Sequence, residues 1–487
     1  RRFIPRLNSW VFSPNVYNVG RPCLAQGNGF DSAPGRIRVF GTSGIRGPVG
    51  ETVTADLALS VGRAVGVDAG SVVVGRDARD SGRALSDAVA AGLVESGTDV
   101  IDLGVVATPT AARAVGRENA DAGIVVTASH NPPPDNGLKL WSRSGQAFDA
   151  ARRRRIATRI DDGSFDLAAW DDHGARTRET GAEAAHRNAL VEAGREWFAS
   201  AAAPPEDLSV VVDVGNGTGG VTADALYELG VSVETLNARP DGRFPARPSE
   251  PTAEACESLR RCVAALDADL GVAHDGDADR MMAVDDTGAF VSGDLLLATF
   301  AHEAARAGTR VAAPVDTSLV VNDALDAVGA SLVHTRVGDV YVAERTKDED
   351  VVFGGEPSGA WIFPEETLCP DGPLAAVRLA ALVADRPLSD RVAAFDPYPI
   401  RRTAVETPAK TEVMDRISAT GAELGESVTT LDGVRVSEPE GWFLIRASGT
   451  QPLVRITAEA RDADTADRLF GRAETLVAEA IDRVEEA

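Results

Sequence analysis

Four short polar stretches of this 487-residue chain carry side chains whose types and spacing could do chemistry. The first, Thr127-Ala-Ser-His-Asn-Pro-Pro-Pro-Asp-Asn-Gly-Leu-Lys139, interrupts an apolar segment and sets Ser129, the candidate chemical centre, among prolines and turn formers. The second is Asp275-Gly-Asp-Ala-Asp-Arg280. In an extended segment Asp275, Asp277 and Asp279 share one face, so their carboxylates would converge on a hard divalent cation. A calcium loop of the EF-hand type begins the same way, but it needs Gly at its sixth position and Glu at its twelfth. This chain has Arg280 and Asp286 there. The third, Gly354-Gly-Glu-Pro-Ser-Gly359, presents Glu356 and Ser358 between glycines, a pair suited to the vicinal hydroxyls of a sugar. The fourth, Arg446-Ala-Ser-Gly-Thr-Gln-Pro452, offers Arg446, Ser448, Gly449 and Thr450, with Arg455 nearby. A guanidinium, hydroxyls and unhindered backbone donors form a phosphate-binding set.

The elements that must position these groups follow from the apolar pattern. Residues 123–126 read as a buried strand that delivers Ser129 to the carboxyl edge of a sheet, where open α/β folds bind ligands. Pro132, Pro133 and Pro134 stiffen the exit of what is expected to be a surface loop. Strands at 71–74 and 99–103 alternate with helices at 81–95 and from Thr110, and the same alternation recurs over 208–230 and 293–353. The fold class is therefore α/β, with three similar βα-repeat units, largely parallel sheets and a smaller C-terminal α+β domain. That last domain shows short strands near Val434 and Leu444, a strand at 453–459 and an amphipathic helix at 463–484. The turn Gly215-Asn-Gly-Thr-Gly-Gly220 lacks the spacing and acidic partner of a dinucleotide fingerprint and reads as structural. The expected divisions are a basic extension, 1–38, then domains at 39–163, 164–287, 288–395 and 396–487, with Arg152–Arg155 opening the first link.

Composition narrows the function classes. A net charge of −25 excludes the basic footprint of a nucleic-acid binder. Six arginines against Asp31 give residues 1–38 a charge of +5, leaving −30 for the rest, so the extension is expected to be disordered and to belong to no core. It lacks the apolar centre of a signal peptide, and no uninterrupted apolar run is long enough to cross a membrane. Cys23, Cys256, Cys262 and Cys369 have no zinc or disulfide spacing, which fits a reducing cytoplasm. Abundant acid with scarce lysine fits a surface adapted to concentrated salt, and a bias toward GC-rich codons accounts for the lysines equally well.

In this order, one to a domain, the four stretches resemble the α-D-phosphohexomutase family over nearly all of residues 39–487. The resemblance implies four domains, three α/β and a smaller α+β one, around a central cleft. It implies that Ser129 is phosphorylated, that Asp275, Asp277 and Asp279 bind Mg²⁺ together with a phosphoryl oxygen on Ser129, and that Glu356 and Ser358 hold sugar hydroxyls. Arg446, Ser448, Gly449 and Thr450 would anchor the phosphate that is not reacting. The implied enzyme is an isomerase: phospho-Ser129 donates to one end of a hexose phosphate, a hexose 1,6-bisphosphate turns over in the cleft, and its other phosphate returns to Ser129. A phosphoryl group carries about −1.5 to −2 charge near neutrality, so its transfer needs cationic surroundings, for which Arg46 and Arg280 are candidates.

The family has a lysine at the place of Lys139, the candidate general acid/base. Only Lys139, Lys347 and Lys410 among 49 basic residues are lysine, and a proton shuttle cannot be built from Arg. His130 is either a second participant or a hydrogen-bond partner of the loop. Asp339 follows Gly338 where many bacterial members have His, and Gln451 stands where Glu is usual. The Gly41-Thr-Ser-Gly-Ile-Arg-Gly47 opening and Val337-Gly-Asp-Val-Tyr341 resemble archaeal members assigned as phosphoglucosamine mutases. Glu356-Pro-Ser-Gly359 also resembles phosphomannomutase and phosphoglucomutase loops. The resemblance thus favours a hexosamine phosphate over mannose or glucose phosphates, with a sugar-phosphate phosphatase or a non-catalytic sensor as the other classes. Expected partners are small sugar phosphates, for a cytoplasmic monomer or homodimer.

Overall fold

Short runs rich in valine, apolar on both faces, become the central strands of three sheets. The computed structural model describes Gly41 and residues 44–420, 427–448 and 452–486. The extension 1–38 and the site candidates Gly449 and Thr450 lie outside the described residues. The first unit runs β1 (Ile45–Pro48), α1 (Ala55–Gly66), β2 (Ser71–Arg76), α2 (Gly82–Glu95), β3 (Asp99–Val105), α3 (Thr108–Arg117), β4 (Ala122–Val126), β5 (Asp135–Ser142), α4 (Ala150–Asp162) and β6 (Arg176–Arg178). Its sheet has the order β1-β5-β4-β2-β3-β6, parallel from β4 to β6 and antiparallel at β5 and β1. The arginine run is no linker. It lies in α4, which Asp149 caps through Arg152 N at 2.7 Å and whose Ile156 packs on the first core. The chain then returns as β6, so the first sheet takes in residues beyond Gly163.

The second unit holds α5 (Ala182–Phe198), β7 (Ser209–Asp213), α6 (Gly220–Leu229), β8 (Ser232–Leu236), α7 (Glu257–Leu266), β9 (Leu270–His274), β10 (Met281–Val284) and β11 (Phe290–Val291), in sheet order β11-β10-β9-β7-β8. The third holds α8 (Gly293–Ala304), β12 (Arg310–Pro314), α9 (Leu319–Asp326), β13 (Ser331–Thr335), α10 (Asp339–Arg345), β14 (Val351–Glu356), β15 (Ala360–Ile362), α11 (Gly372–Val383) and α12 (Leu388–Val392), with sheet order β13-β12-β14-β15. These two units share one hydrophobic core. Val210, Leu270, Phe300, Phe353, Trp361 and Leu374 belong to a single buried cluster, and Trp361 Nε1 donates to Met281 O at 2.8 Å across the junction.

The last unit is β16 (Ile400–Glu406), α13 (Lys410–Ala419), β17 (Ser427–Thr429), β18 (Val434–Glu438), β19 (Gly441–Ala447), β20 (Leu453–Ala460) and α14 (Ala463–Glu485). Its five strands are all antiparallel, in the order β16-β20-β19-β18-β17, under α14 with Leu469, Ala473 and Val477 buried. Glu459 of β20 fastens this unit to the third by accepting from Ser318 Oγ (2.5 Å) and Leu319 N (2.8 Å) at the start of α9. Among the described residues no helix is long and apolar enough to cross a membrane.

Candidate active site

Strands β2 and β4 run side by side to the carboxyl edge, ending at the pair Arg76 and Val126, so the loops that follow them meet. Ser129 lies in the second of these loops with φ +53°, a left-handed conformation uncommon for a residue with a Cβ. The expected surface loop is instead covered, and Ser129 is 0% exposed. The cover comes from the second unit. Ser129 Oγ donates to Asp275 Oδ2 at 2.6 Å and lies 3.3 Å from Asp279 Oδ1, while His130 Nδ1 stands 3.5 Å away.

Asp275, Asp277 and Asp279 converge, with one ligand oxygen from each within 4.8 Å of the others, but not as an extended segment. The stretch after β9 is a tight turn with Ala278 at φ +56°. Packing holds that turn: Thr108 at the start of α3 donates its N to Asp277 O (2.8 Å) and its Oγ1 to Asp277 Oδ2 (2.5 Å). Helix α3 begins two residues before the Thr110 expected from the pattern, and that first turn makes the contact.

Lys139 on β5 reaches the same carboxylates, with Nζ at 2.7 Å from Asp277 Oδ2 and also bonded to Asp279 Oδ2. Burial alone would lower the lysine, but Asp277 and Asp279 hold its ammonium above the ordinary lysine range. Burial pushes Asp275 well above the carboxylate range, with Asp279 and Asp277 pushing the same way. Asp277 moves down despite its burial, because Lys139 and the Thr108 hydroxyl hold its charge. Burial, aided by Arg280, Arg46 and Lys139, drives His130 down to about 2 and leaves its imidazole neutral.

A small hard cation fits this triad. Asp277 Oδ1 is buried with no hydrogen-bond partner among the described residues, and three carboxylates face one ammonium. Arg46 Nε is likewise buried without a partner, as suits a guanidinium whose complement is an anion.

A second constellation lines a cavity of about 390 Å³ between the third and fourth sheets, and includes Arg280, Glu356, Ser358, Arg446, Ser448 and Arg455. Arg446 and Arg455 are direct cross-strand partners on β19 and β20. Arg402 on β16 pairs with Thr457, two residues beyond Arg455, so all three guanidiniums share one face. Like charges opposed across strands are destabilising, and a bound anion offsets that repulsion. On the other wall Glu356 Oε1 accepts from Gly338 N at 2.7 Å, and Ser358 Oγ is 3.4 Å from Oε2. Burial, reinforced by Asp339 and Asp316, pushes Glu356 up to about 7. Arg280 joins the two constellations, since its N donates to Asp275 Oδ1 at 3.3 Å while its side chain lines the cavity.

Several members of these networks escaped the sequence reading: Thr108, Arg402 and Asp316, and the pair Arg79 and Ser249 that touches the Ser129 backbone. Arg79 lies in a polar turn at the end of β2, and position at a strand's carboxyl end was the available signal.

Four models of the phosphoglucomutase/phosphomannomutase family match the chain in order: α/β/α domain I over residues 38–166, domain II over 188–288, domain III over 292–398 and the C-terminal domain over 402–475. The chain belongs to this family, and it is a mutase, an isomerase of the phosphohexomutase class. The probable phosphoglucosamine mutase of Methanopyrus kandleri is 42% identical over 92% of this chain and 100% of its own length. Among solved structures, a phosphoglucomutase/phosphomannomutase family protein of Burkholderia thailandensis superposes with a TM-score of 0.80 at 28% identity, covering 91% of this chain and 97% of that one. The N-acetylphosphoglucosamine mutase of Aspergillus fumigatus, in complex with GlcNAc-6P and magnesium, shares the fold at a TM-score of 0.59 and 17% identity, over 92% and 96% of the two chains.

Proposed function

We propose that this mutase interconverts the 6- and 1-phosphates of a hexosamine, as a phosphoglucosamine mutase, through phospho-Ser129 and a bisphosphorylated sugar. The carrying observation is the two-signed cavity: Arg402, Arg446 and Arg455 on one wall, and Glu356 and Asp316 on the other. Burial, with Asp339 and Asp316 adding their charge, raises Glu356 to about 7, and a ligand bringing positive charge offsets both, which an amino sugar does and a hexose does not. The names of relatives at about 40% identity support the same substrate.

In this reading Ser129 Oγ carries the phosphoryl group. Asp275, Asp277 and Asp279 would hold Mg²⁺, which when bound supplies positive charge beside the transferring group. Arg46 and Arg280 stabilise the same developing charge, and Lys139, held as an ammonium, gives a proton to the departing Ser129 oxygen and regains one from the attacking sugar hydroxyl. His130, neutral, serves the loop as a hydrogen-bond partner. Glu356 and Ser358 accept the sugar, and the arginine wall with Ser448, Gly449 and Thr450 anchors the idle phosphate. The cover that the second unit puts over Ser129 keeps bulk water from its hydroxyl, and the free thiols of Cys256, Cys262 and Cys369 suit the cytoplasm.

Parallel assays with glucosamine, mannose and glucose phosphates and Mg²⁺ test the proposal. The highest kcat/KM is expected for the amino sugar; a preference for mannose or glucose phosphate would refute the substrate, and rapid release of inorganic phosphate from the bisphosphate would refute the mutase chemistry.

A further inference from the structure

The peptide group of Ser129 sits in a closed circuit of hydrogen bonds. Its N–H donates to Thr127 Oγ1 (2.9 Å), whose hydroxyl donates to Asp77 Oδ2 (2.7 Å). Asp77 pairs with Arg79 Nε (3.0 Å), and Arg79 Nη2 returns to the Ser129 carbonyl at 2.8 Å. The same guanidinium reaches Asn131 O and Pro132 O (both 2.7 Å) and Asp135 O (2.9 Å), so the loop is wrapped around one arginine that is 1% exposed. Five donors in a rigid fork make this possible for Arg alone.

A second donor reaches the Ser129 carbonyl from the other side. Ser249 Oγ, in the second unit, donates to Ser129 O at 2.8 Å and accepts from Gly276 N at 3.0 Å. One hydroxyl therefore ties the Ser129 loop to the aspartate loop. The approach is too close for a side chain at 276, where a Cβ would stand 2.8 Å from Ser249 Oγ and 2.9 Å from Ser129 O.

From this geometry we infer that Arg79 and Ser249 are positioning residues for phosphoryl transfer: Arg79 keeps Ser129 in its left-handed conformation, and Ser249 sets the distance from its hydroxyl to Asp275 and its neighbours. Neither touches the cavity that receives the sugar phosphate, so their effect falls on transfer and not on binding. The inference rests on the reading of Ser129 as the phosphoryl carrier.

The test compares the parent with Ser249→Ala, Ser249→Thr, Arg79→Lys and Ser129→Ala. Phosphorylation of Ser129 by glucose 1,6-bisphosphate is followed by intact mass in a single turnover, beside steady-state kcat and KM for glucosamine 6-phosphate. Small misplacements of reacting groups cost about 10- to 100-fold in rate. Ser249→Ala is expected to lose that much in both the single turnover and kcat, with KM little changed, and Ser249→Thr, which keeps the hydroxyl, to regain most of it. Arg79→Lys keeps a charge opposite Asp77 but cannot span four carbonyls, and should lose more. Parent-like rates in Ser249→Ala, a loss confined to KM, or a loss that Thr does not restore overturns the inference. Phosphoryl uptake by Ser129→Ala overturns the reading of Ser129 itself, and the two failures are told apart by that variant.

Discussion

Replacing Lys139 by Met removes an ammonium that contacts the aspartate triad while nearly keeping its volume. Its Nζ is bonded to Asp277 and Asp279, all three groups being buried. Removing one partner of a buried pair costs about 3–5 kcal/mol. Arg46 and Arg280 still act on these carboxylates, so the lower end, about 3 kcal/mol, applies. For a unit of 150–250 residues roughly 2–4 °C of melting temperature follows each kcal/mol, which gives a fall of about 6–12 °C in chelator. Mg²⁺ should reverse it, since a cation at about 100 times its Kd contributes about 2.7 kcal/mol. In the parent the gain should be smaller, because Lys139 competes for Asp277 Oδ2 and Asp279 Oδ2, and an affinity difference of tenfold corresponds to about 1.4 kcal/mol. Calorimetry of both proteins across a Mg²⁺ series, starting in chelator, measures this directly. A Mg²⁺-dependent shift no larger in Lys139→Met than in the parent would refute the competition and, with it, the placing of the metal on this triad.

Ser129→Ala should abolish mutase turnover and the phosphoryl adduct seen by intact mass, at a stability cost of about 1 kcal/mol for the lost hydrogen bond to Asp275; denaturant titration checks the latter. Glu356 is raised from 4.5 to about 7, so the folded protein retains a proton that the unfolded chain has released. Its contribution to stability accordingly falls as pH rises through that window and the cost is complete above 7. At about 1.4 kcal/mol per unit, Glu356→Gln should gain at most about 3.5 kcal/mol over the parent at pH 8 and little at pH 5, and melting curves at the two pH values would show it. Arg402→Gln removes one charged donor, worth about 1.5–3 kcal/mol, and should raise KM for glucosamine 6-phosphate roughly 10- to 100-fold with kcat little changed. Unaltered KM would take Arg402 out of the phosphate site.

The strands and the four polar stretches could be read from sequence because each is a local pattern: a valine run such as 210–212, then a turn, then a capped helix. The aspartates were found on local spacing, yet the reason they converge is not local. An extended strand would align them, whereas the actual turn depends on Ala278 in a left-handed conformation and on Thr108 from the first unit. The burial of Ser129 was illegible for the same reason, since its cover, Asp275, lies 146 residues away. Arg79 looked like one more charge in a polar turn until the pairing of β2 with β4 set it beneath the Ser129 loop. The run Arg152–Arg155 reads as a linker on its charge alone, whereas Ile156 one residue on, with Ile160 beside it, anchors α4 on the first core. Arg402 carries no motif; only the register of β16 against β20 aligns it with Arg446 and Arg455.

The same separation has a consequence for synthesis. At roughly 5–20 residues per second, Ser129 leaves the ribosome about 7–30 s ahead of Asp275. By then Asp77, Arg79 and Thr127 are out, and Asp135 follows within a few residues, so everything that shapes the loop is translated together. Ser249 and the three aspartates are still unmade. A nascent first unit can therefore fold its loop correctly while the serine stays open to solvent and lacks the charges that would activate it. The nucleophile is built early and armed late, when the second unit closes over it.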